Sequence, residues 1–440
     1  MRDIIFAAIF LMAVPLAIVR PFNAYILWAW TSLLAPTTFL YGFMVDVRVN
    51  LIFALIALSA IALGRVNWRD YQGSPTAWMM IVFAAHASFV AVLAYPNNPF
   101  NLRYYEFLIK GLAFCLIMPF FVRERVHFHA IIIVVALGLG IHGVTNGLKT
   151  IASAGGHNMT GPFSTMIDDR NHLSVALSMA LPLVLYLFIY SKKLFVKVGF
   201  LATFLLIILA ILGGGSRAGF IVLSVLLTFL LLRSKHKIIG LCTVAALVGV
   251  FLLLAPDQWA DRISTIQSAN QDESFLGRVV AWDISSSIAL ENPIFGGGFH
   301  AVQVQHVWDA YKFSPGLLGF LGLPVPDFLP KAAHSIYFEL IGDTGFLGLT
   351  LFLSIMLRAI YCRQKIIKTF KLSGREVKWQ KDLADLLALS VMAYLIGGAS
   401  VSLGYLEVAY MLAMLMELLF INVKRGAIQQ KKNSSGLKIK

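Results

Sequence analysis

Three stretches of the chain place charged or titratable residues beside glycines or at the start of a helix. In GGGSRAGF, residues 213–220, three glycines run into Ser216 and Arg217. Backbone N–H groups of Gly214 and Gly215 can point at a ligand, and Ser216 is placed to cap a helix carrying Arg217 in its first turn. That combination suits an anion. In FLGRVVAWDISSSIALENPIFGGGF, residues 275–299, Val279, Trp282, Ile284 and Ile288 follow Arg278 at near-helical spacing. The spacing predicts an amphipathic helix lying at a membrane face, broken by Asn292-Pro293 and followed by a sharp turn at Gly296 to Gly298. In LPKAAHSIYFELIGDTGFLGL, residues 329–349, His334 precedes Ser335, which can cap a helix continuing through Phe338 and Leu340. The positive end of that helix disfavours imidazolium, and a neutral imidazole can take a proton as a general base.

Other polar groups have plainer readings. Asp168-Asp169-Arg170-Asn171 could hold a divalent ion through its carboxylates, but Asp and Asn just before a helix are ordinary caps, and capping is the expectation. Glu106 and Lys110 have the spacing of an ion pair along one helix. His300 and His306 carry no positional argument of their own. Nor does the glycosylation-like triplet Asn158-Met159-Thr160, a pattern short enough to arise by chance.

The elements that must position these residues cross a membrane. Apolar residues make up 59% of the chain and charged ones 13%, with a mean hydropathy of +0.79. Such a balance excludes an ordinary water-soluble core. Apolar runs recur at 4–19, 22–42, 49–64, 76–95, 104–122, 129–148, 172–190, 195–213, 217–232, 238–255, 335–357, 384–400 and 405–422. Each can span a hydrocarbon layer about 30 Å thick, allowing for tilt. The count is 12 or 13, because only Arg20-Pro21 separates the first two runs, which form either one bent element or a hairpin. The first run is not expected to be a cleaved signal, since Arg20 follows it in place of small residues. Cys115, Cys242 and Cys362 are odd in number and lie in or beside apolar runs, which argues against a disulfide framework.

Charge sets the orientation. Clusters at Arg65/Arg69, Arg123/Arg125, Lys192/Lys193/Lys197, Arg233/Lys235/Lys237, Arg358 to Lys381 and Lys424 to Lys440 are cytoplasmic by the positive-inside bias. The other side then receives 96–103, 149–171, 213–217, 401–404 and one long loop, 256–334. The chain accordingly divides into membrane helices over 1–255, the long loop, further membrane helices over 335–424, and a basic tail, 425–440, suited to anionic headgroups. Ten bases run against the bias: Arg48, Arg103, Lys110, Lys149, Arg170, Arg217, Arg262, Arg278, Lys312 and Lys331.

Taken together, Arg217 within GSRAG, Arg278, Trp282, Asn292-Pro293, Gly296 to Gly298, Phe299 and AHSIYFELIGDTGFLGL resemble the O-antigen ligase and polymerase superfamily. The opening MRDIIFAAIFLMAVPLAIVRPFNAYILWAW and the stretch IDDRNHLSVALSMALPL resemble its O-glycosylation ligase branch. The resemblance implies an all-α, polytopic glycosyltransferase of GT-C-like architecture in a bacterial inner membrane, with about 12 membrane helices and a long periplasmic loop containing short helices. It further implies transfer of a glycan from undecaprenyl pyrophosphate to the lipid A core, inverting and independent of metal or other cofactor, with membrane lipids but no nucleic acid as further partners. The family's essential arginine and histidine match Arg217 and His334. A pyrophosphate clamp would comprise Arg217, Gly214, Gly215, Ser216 and Arg278 or Arg170. The acceptor is open at this level: a second lipid-linked glycan, as in a polymerase, or a protein, as in an O-oligosaccharyltransferase, needs the same groups. A transporter would instead place ionisable groups at mid-membrane in related halves.

Overall fold

The structure, a computed structural model, describes residues 1–233, 273–322, 329–373 and 377–436, with isolated positions between 238 and 249. The run expected at 238–255, Arg262, and residues 256–272 and 323–328 of the long loop lie for the most part outside the described residues. Among the described residues the regular structure is helical, with no strand.

Helices α1 (Arg2–Val19) and α2 (Pro21–Leu34) form a hairpin. Pro21 disfavours helical backbone in the residue before it, and Arg20 is extended, with φ −123° and ψ 105°. The Asp3 carboxylate fastens the two together by accepting from the N–H groups of Gly42 (3.0 Å) and Met44 (3.2 Å) beyond the end of α2. The apolar run expected to extend to residue 42 stops being α-helical at Leu34, because Ala35 is left-handed and Pro36 follows.

Next come α3 (Val49–Ala62), α4 (Pro75–Leu93), α5 (Asn101–Phe121), α6 (Arg125–Ala152), α7 (Arg170–Tyr190), α8 (Leu194–Gly213) and α9 (Arg217–Arg233). Two helices lie within the long loop, α10 (Glu273–Glu291) and the short α11 (Gln305–Tyr311). The chain closes with α12 (Ile336–Ser373), α13 (Lys378–Gly398) and α14 (Glu407–Gly436). By length and composition, seven of the described helices can cross a membrane: α1, α4 to α8 and α12. Helix α14 carries acids that are partnered inside the bundle, as a low-dielectric surround requires. Glu417 meets Arg358 at 2.7 Å, and Glu407 accepts from Ser32 at 2.6 Å.

The basic clusters gather at one end. Arg123 pairs with Asp70 at 2.9 Å, Arg425 donates to Gln72 at 2.9 Å, and Arg363 donates to Asp385 at 2.7 Å. A cavity of about 380 Å³ at this end is lined by Phe370, Gln380, Asn422 and Arg425. Helix starts and ends at the opposite end are packed together by small residues: Gly219 against Ser174, Gly397 against Val222, and Gly398 against Ile336. This second end holds the candidate site.

Helix α10 departs from expectation. Its apolar stripe does not lie on a membrane face: Ile284 and Ile288 are buried against Trp308, Val307 and Ala301. Ser285, Ser286 and Ser287 are buried too, and Gly342 of α12 lies against Ser285. Small serines let α12 approach the second face, so α10 is enclosed by protein on both sides.

Candidate functional site

The α8–α9 corner is a capped helix junction. Gly214 N–H donates to Ala210 O at 2.9 Å and Gly215 N–H to Leu212 O at 3.5 Å, so both donors are engaged in closing α8 and do not point at a ligand. Ser216 caps α9 as its sequence position suggests, its hydroxyl accepting from Gly219 N–H at 3.1 Å. That hydroxyl is buried. Among the four residues singled out in this motif, the one presented outward is Arg217, at the first position of α9.

Helix α7 begins beside it. Asp169 accepts from Asn171 N–H at 2.7 Å, the cap that the DDRN stretch suggests, and Arg170 is the first helical residue. Since Gly219 of α9 packs on Ser174, Arg170 and Arg217 head adjacent helices.

His334 sits at the same end, just ahead of α12. Its backbone is left-handed, φ +45°, and is held on both sides: its own N–H donates to Ser402 Oγ at 3.0 Å, and the Trp282 indole N–H donates to Ala333 O. The Trp282 ring stacks on Phe338, centroids 5.1 Å apart and planes 6° from parallel. Burial, followed by the Arg278 guanidinium and then His172, pushes the imidazole pKa down to about 4. The ring is therefore neutral, as expected, but for a different reason: burial and a nearby guanidinium dominate rather than the helix terminus.

A further polar group lies beside His334 and was not singled out from sequence. Helix α12 breaks at Gly345, with φ +69° and ψ −179°. The FGGGF loop threads against this break, Gly297 N–H donating to Gly342 O at 2.9 Å and Gly298 N–H to Asp343 O at 3.0 Å. Gly296 approaches so closely that a Cβ there would meet the Gly342 and Asp343 carbonyls at 2.7 Å. This docking buries His300 against Glu339 and Asp343, and stacks the His300 ring on Tyr104 with centroids 3.5 Å apart. Glu339 accepts from Gly404 N–H at 2.8 Å and Asp343 from Tyr405 at 2.7 Å. Burial drives the His300 pKa down to about 4.

His172 also belongs here. Its Nδ1 meets Met166 O at 3.1 Å, which makes Nδ1 the donor and leaves Nε2 as a buried acceptor. The four-residue spacing of Glu339 and Asp343 was a legible sign that both carboxylates share one face of α12. For His300 and His172 no comparable sign exists in the sequence.

Residues 1–192 match a family of unknown function, DUF5935, and residues 202–353 match the O-antigen ligase family. The domain at residues 202–353 supports a place for the chain in the O-antigen ligase and polymerase superfamily. Its O-antigen ligase domain contains Arg217, Arg278 and His334, together with His300, Glu339 and Asp343. Arg170 and His172 fall in the other match. No curated protein matches the chain. Members of the O-antigen ligase family are glycosyltransferase-like membrane enzymes, and the apolar helices that carry the site agree with a multi-pass location.

Proposed function

We propose that this chain is an O-antigen ligase that transfers a glycan from undecaprenyl pyrophosphate to the lipid A core at the periplasmic face of the bacterial inner membrane. The observation that carries the reading is the position of His334 inside the O-antigen ligase domain, neutral and within electrostatic reach of Arg278. It stands at the end of the bundle where Arg170 and Arg217 begin their helices.

The basic end is cytoplasmic by charge bias, so the site end is periplasmic. Asp3 lies at the site end, whereas α14 finishes at the basic end, so the path crosses an odd number of times. This supports 13 among the 12 or 13 crossings expected. On this reading the described part of the long loop, α10 and α11 included, lies on the periplasmic side.

In the reaction, Arg217, Arg278 and Arg170 hold the donor pyrophosphate; Gly214 and Gly215 take no part, because their donors close α8. Guanidinium stays charged and presents paired donors to phosphate oxygens. His334 accepts the proton of the acceptor hydroxyl while that oxygen bonds to the anomeric carbon. The bond from carbon to the pyrophosphate oxygen breaks on the opposite side, giving inversion, and the arginines receive the departing charge.

Reconstituted protein given lipid-linked glycan together with lipid A core, a second lipid-linked repeat and an acceptor protein tests the reading. The expected product is glycosylated core. Product on the repeat or the protein would reassign the acceptor, and no product on any of them would remove the transferase proposal. Arg217→Ala should weaken donor binding at least tenfold, and undiminished affinity would rule out the clamp.

A further inference from the structure

We propose that His300, Glu339 and Asp343 form a binding site for a divalent transition-metal cation that fastens the 292–300 loop to the first turns of α12. Each side chain offers one ligand atom, and these atoms lie within 4.8 Å of one another. All three are sealed from solvent, at 4%, 3% and 1% exposure. His300 Nε2 lies 2.9 Å from Glu339 Oε1, yet the approach is not that of a hydrogen bond, and both atoms are buried without a hydrogen-bond partner.

Charge points the same way. Two carboxylates and an imidazole this close, away from water, must share either protons or a bound cation, since they are not all left unprotonated there without one. The donors that reach the carboxylates, Gly404 N–H, His300 N–H and the Tyr405 hydroxyl, are neutral and orient them without supplying charge. Gln303 meets His300 Nδ1, which fixes the ring so that Nε2 is the nitrogen presented to the carboxylates.

The ligand set selects the class of ion. One imidazole with two carboxylates suits zinc or manganese better than the all-oxygen shells of calcium and magnesium, and no thiolate is present to favour a softer ion. Around a cation with ligand bonds of about 2.0–2.2 Å the three atoms would stand roughly 3.5 Å apart, which lies within the spread they already have. The site spans two segments that are otherwise tied by backbone bonds, with His300 N–H also reaching the Asp343 carboxylate. A cation there would be structural, separate from the proposed transfer step.

The test uses full-length protein carrying a tag without histidine, stripped with chelator, incubated with Zn²⁺ or Mn²⁺ and desalted in detergent. Metal content and thermal unfolding are then measured. One equivalent retained per chain with a raised Tm is expected. Glu339→Gln and Asp343→Asn should each bind at least tenfold more weakly and lose the Tm rise. Should both variants fail to fold, the wild-type titration still decides. Retention of neither ion by the wild type, or unchanged retention by a folded variant, would overturn the proposal; the first result would mean that the three groups share protons instead.

Discussion

Gly345 stands directly over Pro293: a Cβ on Gly345 would lie 2.6 Å from the Pro293 carbonyl oxygen, the same oxygen that accepts from Phe346 N–H at 2.8 Å. Its backbone, φ +69° and ψ −179°, is a conformation that only glycine adopts readily. The break in α12 thus follows from a loop carbonyl taking the place of the helix's own bonding, with glycine as the residue that permits the approach.

Gly345→Ala should therefore lower stability by about 2–3 kcal/mol through combined backbone strain and contact with Pro293. Thermal unfolding in detergent measures it. Gly199→Ala, where a Cβ meets nothing within 4 Å, serves as the neutral comparison. Equal Tm values for the two variants would show that the break is not held by this contact.

His334 carries the pH prediction. Its pKa stands near 4 against an ordinary 6.5, with Arg278 on α10, Asp169 and His172 at the head of α7, and His300 as the charged or titratable groups facing it. The proton-accepting form is already populated at neutral pH. The rate of transfer should stay level from pH 8 down to about 5 and fall as pH approaches 4, the slope disappearing in His334→Gln, which should also be about 10²-fold slower. The stability term has the same sign: a depressed histidine supports the fold fully above about pH 6.5 and loses that support as pH falls toward its folded value. A midpoint near 6.5 in the rate profile would contradict the buried, neutral assignment.

The ion pair of Arg358 and Glu417 lies deep between α12 and α14, with Glu417 also accepting from Thr76 at 2.7 Å. Glu417→Ala should cost about 3–5 kcal/mol because it strands a guanidinium in an apolar surround. Replacing both partners, as Arg358→Met with Glu417→Leu, should recover most of that loss. Thermal unfolding of the single and double variants provides the comparison.

Trp282 makes one hydrogen bond and one stack, and Trp282→Phe separates them. The phenyl ring keeps the contact with Phe338 but leaves Ala333 O without its donor, next to His334. Stability should fall by about 1 kcal/mol while transfer slows about tenfold with donor KM unchanged. An unaltered rate would mean that the indole N–H does not position His334.

The features legible in the sequence were those written in local patterns. Apolar run length announced the membrane helices, Ser216 and Asp169 announced their caps, and Glu106 with Lys110 announced an ion pair found at 2.6 Å. Arg20-Pro21 left bend and hairpin equally open, and the choice fell to a bond between Asp3 and a turn some forty residues away. The glycines at 213–215 looked like an anion cradle because composition does not reveal whether an N–H group is already bonded. The burial of α10 escaped for a related reason: an apolar stripe looks the same whether it meets lipid or a second helix. His300 was passed over because its partners, Glu339 and Asp343, lie some forty residues further on and are joined to it only by the docking of the glycine loop.

The small apolar nucleus built from Ile284, Ile288, Val307 and Trp308 has its own interior, distinct from that of the membrane bundle. Substitutions on the outward side of α11 would consequently be absorbed within that annex, leaving the helices beneath undisturbed. Diversification over such a cap would change the outer surface of the molecule while leaving the proposed site beneath it intact.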